Sequence, residues 1–396
     1  MSDLYVSNVT LFDGRRVRAK QGVLVHGDRI GWVGAHARAP RLARTADRID
    51  GSGRTLTPGL VDCHVHLSFD GSPDFADEAS RLTPALAAIK ATVNLTKHLA
   101  AGVTTVRDLG GVGTCDVAAA VDAGVVAGPR VIAAGRALTV TGGHGHSVGF
   151  AREVDGPDGV RQAVRQEIRG GAGVIKLIAT GGVLTPGIGA TFTAFTPGEL
   201  AAAVDEAHKW GRGVAAHAIG ADGIAQSVLA GVDSIEHCVQ VTPSIARRMK
   251  ERGTFRSATL VALRGIAEHP QEAPAYAVEK ALSLIADAQD GHRRALRTGI
   301  RHVCGTDAGT PFNPHGAAPR ELVAMVEWGT KPLDAMVAAT SAGAELLRTT
   351  AGVVEEARPA DLVLYDANPV DDIAATLSPR AVWRGGALVS GGATPG

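Results

Sequence analysis

Eight short apolar segments run through the middle of this chain, with stretches of helix length between most of them, and no other feature restricts the fold as much. The segments are 60–67, 104–109, 130–136, 174–180, 213–219, 234–238, 254–260 and 300–307. The intervening stretches, such as 197–211 and 279–299, are rich in alanine and repeat their apolar residues at helical spacing. Apolar strands alternating with helices predict an α/β protein whose parallel sheet is covered on both faces. Eight such strands are the number that closes a (β/α)8 TIM barrel. An open doubly wound sheet is the alternative, weakened because no Gly-x-Gly-x-x-Gly turn follows a first strand.

The two ends read differently. Segments 4–12, 16–18 and 23–33 have strand character and are broken by Asp13-Gly14 and Gly27-Asp28, a hairpin pattern. Segments 362–365 and 381–389 repeat that style, with Gly385-Gly386 as a tight turn. Neither end is large enough to stand alone. The expectation is a small composite β-sandwich from residues 1–57 and 355–396, beside a barrel over 58–354.

Charge and cysteine content narrow the partners. Forty basic residues balance forty acidic ones, so neither nucleic acid nor an anionic membrane is favoured. The opening Met1-Ser2-Asp3-Leu4-Tyr5 lacks the pattern of a leader, and no apolar run is long enough to span a bilayer. A cytoplasmic enzyme acting on a small molecule is expected, as a homo-oligomer on general frequency. Cys63, Cys115, Cys238 and Cys304 form no Cys-x-x-Cys pair, which argues against a zinc ribbon, a redox pair or a disulfide framework. Cys63 and Cys238 neighbour inward-facing histidines and should lie under the helices as small buried hydrophobes.

Ionisable residues recur at the ends of the strands. In His64-Val65-His66 the side chains at i and i+2 share a face, so both imidazoles aim at one point, a start on a site for zinc or a similar ion. Lys176 follows in strand four, His217 in strand five, His237 in strand six and Asp307 in strand eight. Each sits in an apolar strand, which is costly unless the group is paired or bound to metal. The carboxyl ends of barrel strands are where active sites lie.

Four motifs carry a family resemblance: Thr57-Pro58-Gly59-Leu60-Val61-Asp62-Cys63-His64-Val65-His66, Gly102-Val103-Thr104-Thr105-Val106-Arg107-Asp108, Thr141-Gly142-Gly143-His144-Gly145-His146 and Val174-Ile175-Lys176-Leu177. The chain resembles the amidohydrolase superfamily over nearly its whole length, in the prolidase-like, imidazolonepropionase-related branch. The resemblance implies two divalent metal ions, zinc in many relatives. His64, His66 and Asp307 would hold one, and His217 and His237 the other. Lys176, carboxylated on its side-chain nitrogen, would bridge them. Burial among Ile175, Leu177 and Ile178 favours the neutral amine that adds carbon dioxide to give this carbamate. A hydroxide shared by the metals would attack an amide-type C–N bond. Asp307 would serve as base and then acid, and His144 would steady the carbonyl oxygen.

Substrate contacts are expected from His146, which lines the pocket or holds its own loop, and from Arg152, Arg264 and His315. Segment 185–195 is a candidate pocket cover, with Phe192 and Phe195 as apolar contacts. Ile219 stands two residues after His217, where dipeptidases of this branch often carry a tyrosine that holds the substrate carboxylate. Ordinary dipeptides are thereby disfavoured, and N-acyl amino acids, aryl amides or carbamates gain. His98, His208, His269, His292 and His302 fall on or beside helices, where exposure is the default. No Gly-x-x-x-x-Gly-Lys-Ser/Thr loop is present, so phosphate binding has no support. Two alternatives stand: a mononuclear deaminase or cyclic-amide hydrolase, against which Lys176 and Ala218-Ile219-Gly220 count, and a non-catalytic oligomeric scaffold.

Overall fold

The computed structural model describes residues 3–392; Met1-Ser2 and residues 393–396, at the two ends of the expected terminal unit, lie outside them. Five strands open the chain: β1 (Leu4–Phe12), β2 (Val17–His26), β3 (Arg29–Ala35), β4 (Asp47–Asp50) and β5 (Thr55–Pro58). Parallel strands follow, beginning with β6 (Leu60–Val65), β7 (Val103–Asp108), β8 (Arg130–Ala133), β9 (Ala137–Thr139) and β10 (Ala151–Glu153). They continue as β11 (Val174–Ile178), β12 (Gly213–Ala218), β13 (Ser234–His237), β14 (Phe255–Ser257) and β15 (His302–Val303). The chain closes with β16 (Leu362–Tyr365), β17 (Ala381–Arg384) and β18 (Ala387–Gly391).

All eight expected parallel strands form, and β9 and β10 are added in the glycine-rich stretch after the third. Helices occupy the intervals between most of them. That over Pro197–Lys209 shows why: Thr196 and Glu199 cap each other at its start, proline takes its first position, and His208 and Lys209 suit its end. Ladder pairing gives a three-stranded sheet, β6-β7-β8, and a seven-stranded one, β10-β9-β11-β12-β13-β14-β15. Backbone hydrogen bonds outside these ladders span the seams. Cys63 N–H donates to the Cys304 carbonyl at 2.8 Å, and Gly173 N–H to that of Ala133 at 2.8 Å. β15 is shorter than expected because the chain bends toward Asp307, whose φ is +59°.

Alternation along the strands sorts side chains into two populations. Ile175, Leu177, Val214, Ala216 and Ile235 pack outward against helix residues such as Leu200, Ile224, Ile245 and Met249. Cys63 and Cys238 are free and buried, Cys63 beside Val61, Phe255 and Val303, and Cys238 in the cluster that holds Met249. Lys176, His217 and Glu236 therefore face the interior.

The terminal segments pair with each other, in one eight-stranded sheet of order β18-β17-β16-β5-β1-β2-β3 with β4 also on β1. β16 runs antiparallel to β5, placing Val363 opposite Thr57. β2 is continuous from residue 17, where the sequence suggested two pieces, and β4 and β5 carried no expectation of their own. The sheet encloses a separate apolar core that includes Val6, Val23, Ile30, Leu362 and Trp383.

Candidate active site

The first donor set comes from β6 and the bend after β15. His64 and His66 share a face, with Cys63 and Val65 turned the other way. The Nε2 atoms of both histidines lie 3.1 Å from one oxygen of Asp307. Their other ring nitrogens are committed. His64 Nδ1–H donates to Glu236 Oε2 at 3.1 Å, and His66 Nδ1–H donates to the Gly110 carbonyl at 2.9 Å. The Nε2 atoms of two imidazoles and a carboxylate oxygen thus meet at one buried point, a donor set of the kind a divalent cation takes. Burial would raise the Asp307 carboxyl, but His64 and His66 hold it well below its ordinary range.

The second set is a row of rings. His217 and His237 have centroids 4.4 Å apart, and His144 and His217 4.9 Å. His217 Nε2–H donates to the Gly181 carbonyl at 2.8 Å, which leaves Nδ1 free. His237 Nδ1 lies 2.7 Å from Thr259 Oγ1. Burial lowers His237 to about 3, His144 to about 4 and His217 well below the usual value, so these imidazoles are neutral. Lys176 is 2 % exposed, and burial brings its ammonium down to about 8 against the pull of Glu236 and Asp307.

Period-two alternation would turn His237 outward with Ile235. Its φ of +64° breaks that rule and turns the ring inward. Asp307 at +59° and Thr259 at +49° share the left-handed conformation, which costs of order 1–3 kcal/mol at a non-glycine residue and clusters at functional sites. Gly305 is required nearby: a Cβ there would stand 2.9 Å from that of His64.

These groups line one cavity. Beyond the histidines, Lys176, Asp307 and the hydroxyls of Thr185, Thr259 and Thr310, its wall is apolar. Phe69, Phe75 and Phe150 contribute, as do Val183, Leu184, Leu263, Ile266 and Leu284. Ile219 is in this wall, as is His144.

Four proposed substrate contacts are not in the wall. His146 Nδ1–H donates to the Gly143 carbonyl at 2.8 Å, holding its own loop. Arg152 pairs with Glu167 at 2.9 Å and also bonds Gln166. Arg264 lies on a helix and pairs with Glu268 and Glu327. His315 is buried behind the cavity, between His98 at 2.9 Å and the carbonyl of Phe69 at 2.7 Å. Each is drawn away by a nearer partner. Within the suggested cover, Thr185 reaches the cavity, Phe195 is in the core and Phe192 is 55 % exposed. His98 and His292 are fully buried, contrary to the expectation of exposure.

Sequence reasoning passed over Glu236, Arg107 and Asp62. Glu236 is wholly buried. Burial alone would raise its carboxyl, but Arg107 and His64 hold it far below the usual range. Arg107 spans the interior, donating to Glu236 Oε1 at 2.8 Å and to the Cys63 carbonyl at 2.6 Å. Asp62 accepts from Thr306 Oγ1 at 2.7 Å and ties β6 to the bend before Asp307. Asp62 and Arg107 lay inside the quoted motifs and Glu236 beside His237; a charged residue in an apolar strand was the available signal.

Comparison with known proteins adds a family. The amidohydrolase family model matches residues 55–389. Ochratoxinase of Aspergillus niger is 33 % identical over 416 residues, covering 96 % of this chain and 84 % of that protein. A crystal structure of a Xaa-Pro dipeptidase with bound methionine superposes with a TM-score of 0.91 at 32 % identity, covering 98 % of this chain and 99 % of the other. Imidazolonepropionase of Cereibacter sphaeroides is 46 % identical over 63 residues, 16 % of this chain and 15 % of that protein.

Proposed function

The chain belongs to the amidohydrolase family, hydrolases of C–N bonds, and on that premise we propose that it cleaves amide-type substrates with apolar groups on both sides of the scissile bond. The observation that carries this is the convergence of His64, His66 and Asp307 on one point at the wall of an apolar cavity. No helix of the described residues is long and apolar enough to cross a membrane.

The frame we infer is a (β/α)8 barrel over 58–354, its two sheets joined at the seams, with the terminal sheet folded as a sandwich from 1–57 and 355–396. Within it, His64, His66 and Asp307 would hold one divalent ion and His217 and His237 a second, with carboxylated Lys176 between them. The donor set fits: burial keeps His217 and His237 neutral, His64 and His66 have their outer nitrogens already bonded, and Lys176 is buried with a lowered affinity for its proton. Such ions, zinc by donor type, supply an activated water and polarise a carbonyl.

The chain's own residues do the rest. Asp307, kept ionised beside two imidazoles, takes a proton and returns it to the departing nitrogen. His144 donates a hydrogen bond toward the carbonyl oxygen as charge gathers there. Ile219 and Val239 offer apolar contact where a carboxylate would need a cation. Free-acid dipeptides are therefore poorer substrates than aryl amides or carbamates.

One observation favours a single-ion alternative: among the described residues, only His64, His66 and Asp307 form a three-donor group of His, Cys, Asp or Glu. Metal content per chain, with activity of wild type and Lys176→Ala on aryl amides, N-acyl amino acids and dipeptides, separates the two. About two ions, with metal and activity both falling in the variant, supports the bridged pair. One ion and an unimpaired variant would sink it.

A further inference from the structure

Lys280 lies on the helix Ala275–Thr298 and is not part of the cavity wall. Its ammonium nevertheless donates to three carbonyls of the loop that follows β11: Thr185 at 2.6 Å, Ile188 at 2.6 Å and Gly182 at 3.3 Å. No carboxylate pairs with it among the described residues. Tyr276, one turn earlier, donates its hydroxyl to Leu184 at 3.0 Å. A half-buried side chain and three charge-assisted bonds make this a clamp on the loop.

Two of the clamped residues hold His144. A Cβ at Gly182 would stand 2.3 Å from His144 Nε2, so only glycine lets the ring lie there. Thr185 Oγ1 is 2.6 Å from His144 Nδ1 and also receives the Gly145 N–H at 3.1 Å. With one lone pair used by Gly145 and no other acceptor bonded to it, the Thr185 hydroxyl gives its hydrogen to Nδ1. His144 then carries its own proton on Nε2, the tautomer that can donate to substrate.

We propose that Lys280 is a positioning residue, fixing the place and tautomer of His144 through the carbonyls of Gly182 and Thr185. This rests on the amide-hydrolase reading for its kinetic consequence, though not for its structural one. Lys280→Met frees the loop, and a misplaced donor lowers kcat by roughly 10- to 100-fold with KM little changed. Lys280→Arg keeps the charge but fits three convergent carbonyls less well, and falls between.

The test is a double-mutant comparison on a neutral aryl amide, with nitrogen-15 NMR of the histidine rings in the zinc-supplemented protein. Expected are a fall in kcat for Lys280→Met in the wild-type background, no further fall in the His144→Ala background, and loss of a single Nε2–H signature for His144. An equal fall in both backgrounds, or an unchanged His144 ring in Lys280→Met, would overturn the proposal. If wild type hydrolyses nothing in the panel, the functional reading fails while the ring spectrum still decides the role of Lys280. Partial rescue in Lys280→Arg separates loss of the clamp from a general folding defect.

Discussion

His64 Nδ1 lies 3.1 Å from Oε2 of Glu236, a carboxylate with no exposure to solvent. That bond fixes which nitrogen of His64 is free, and Arg107 on the other oxygen keeps the carboxylate ionised. Glu236→Gln removes the charge and leaves the buried Arg107 guanidinium without its counter-charge. The expected cost is about 3–5 kcal/mol of stability and roughly 10- to 100-fold in zinc affinity. Urea unfolding and zinc titration read the two losses separately.

If Lys176 is carboxylated as proposed, reconstitution should depend on dissolved carbon dioxide. Zinc added to metal-free protein in degassed buffer should restore less activity than the same zinc with bicarbonate. Equal recovery in both buffers would count against the carbamate.

Leu263 and Leu284 belong to the apolar part of the cavity wall. Leu263→Ala or Leu284→Ala should lower kcat/KM for a bulky aryl amide about 10- to 100-fold, the worth of a few methylenes in an apolar pocket. Acetyl-sized substrates should lose far less. Arg264→Ala, by contrast, should leave KM within about two-fold, because an ion-paired surface arginine contributes little to a distant cavity.

Acid should destabilise the fold through its neutral histidines. Burial lowers His315 to about 4, His292 to about 2 and His98 well below the usual value. Between about pH 6.5 and those values the unfolded chain binds protons that the folded one refuses, so stability falls as pH falls, by on the order of 1 kcal/mol per unit for each group. Asp62 and Glu321, each raised to about 7 by burial, work oppositely from pH 7 to about 4, as do Asp108 and Glu78, also raised by burial; with His302, His144, His217 and His237 lowered as well, the histidines outnumber them. The midpoint of urea unfolding should drop from pH 7 to pH 5, and His292→Gln should flatten the slope.

The parallel strands, the buried cysteines and the inward turn of His64, Lys176 and His217 were legible because period-two alternation and apolar runs encode them directly. His237 was legible as a candidate only because it joined a set; alternation alone assigns it to the wrong face. Its inward turn depends on a left-handed backbone that no local pattern announces. The arginines failed for a different reason. Arg152 and Arg264 had carboxylates waiting on neighbouring elements, and such long-range pairings are invisible in one dimension. Lys280 likewise looked like any helix-surface lysine, since its partners are backbone carbonyls almost a hundred residues away.

The pairing of β5 with β16 sets an order of events during synthesis. β6, which carries His64, follows β5 after a single residue, yet the strand that covers the edge of β5 is made roughly three hundred residues later. The first ligand-bearing segment thus leaves the ribosome long before its frame can be finished, and contacts this distant form slowly. A nascent chain halted before residue 362 would hold every proposed ligand in sequence and still lack the pairing of β5 with β16. Metal capture would then be an event of release from the ribosome, and a destabilised terminal sheet would impair the site without altering any residue in it.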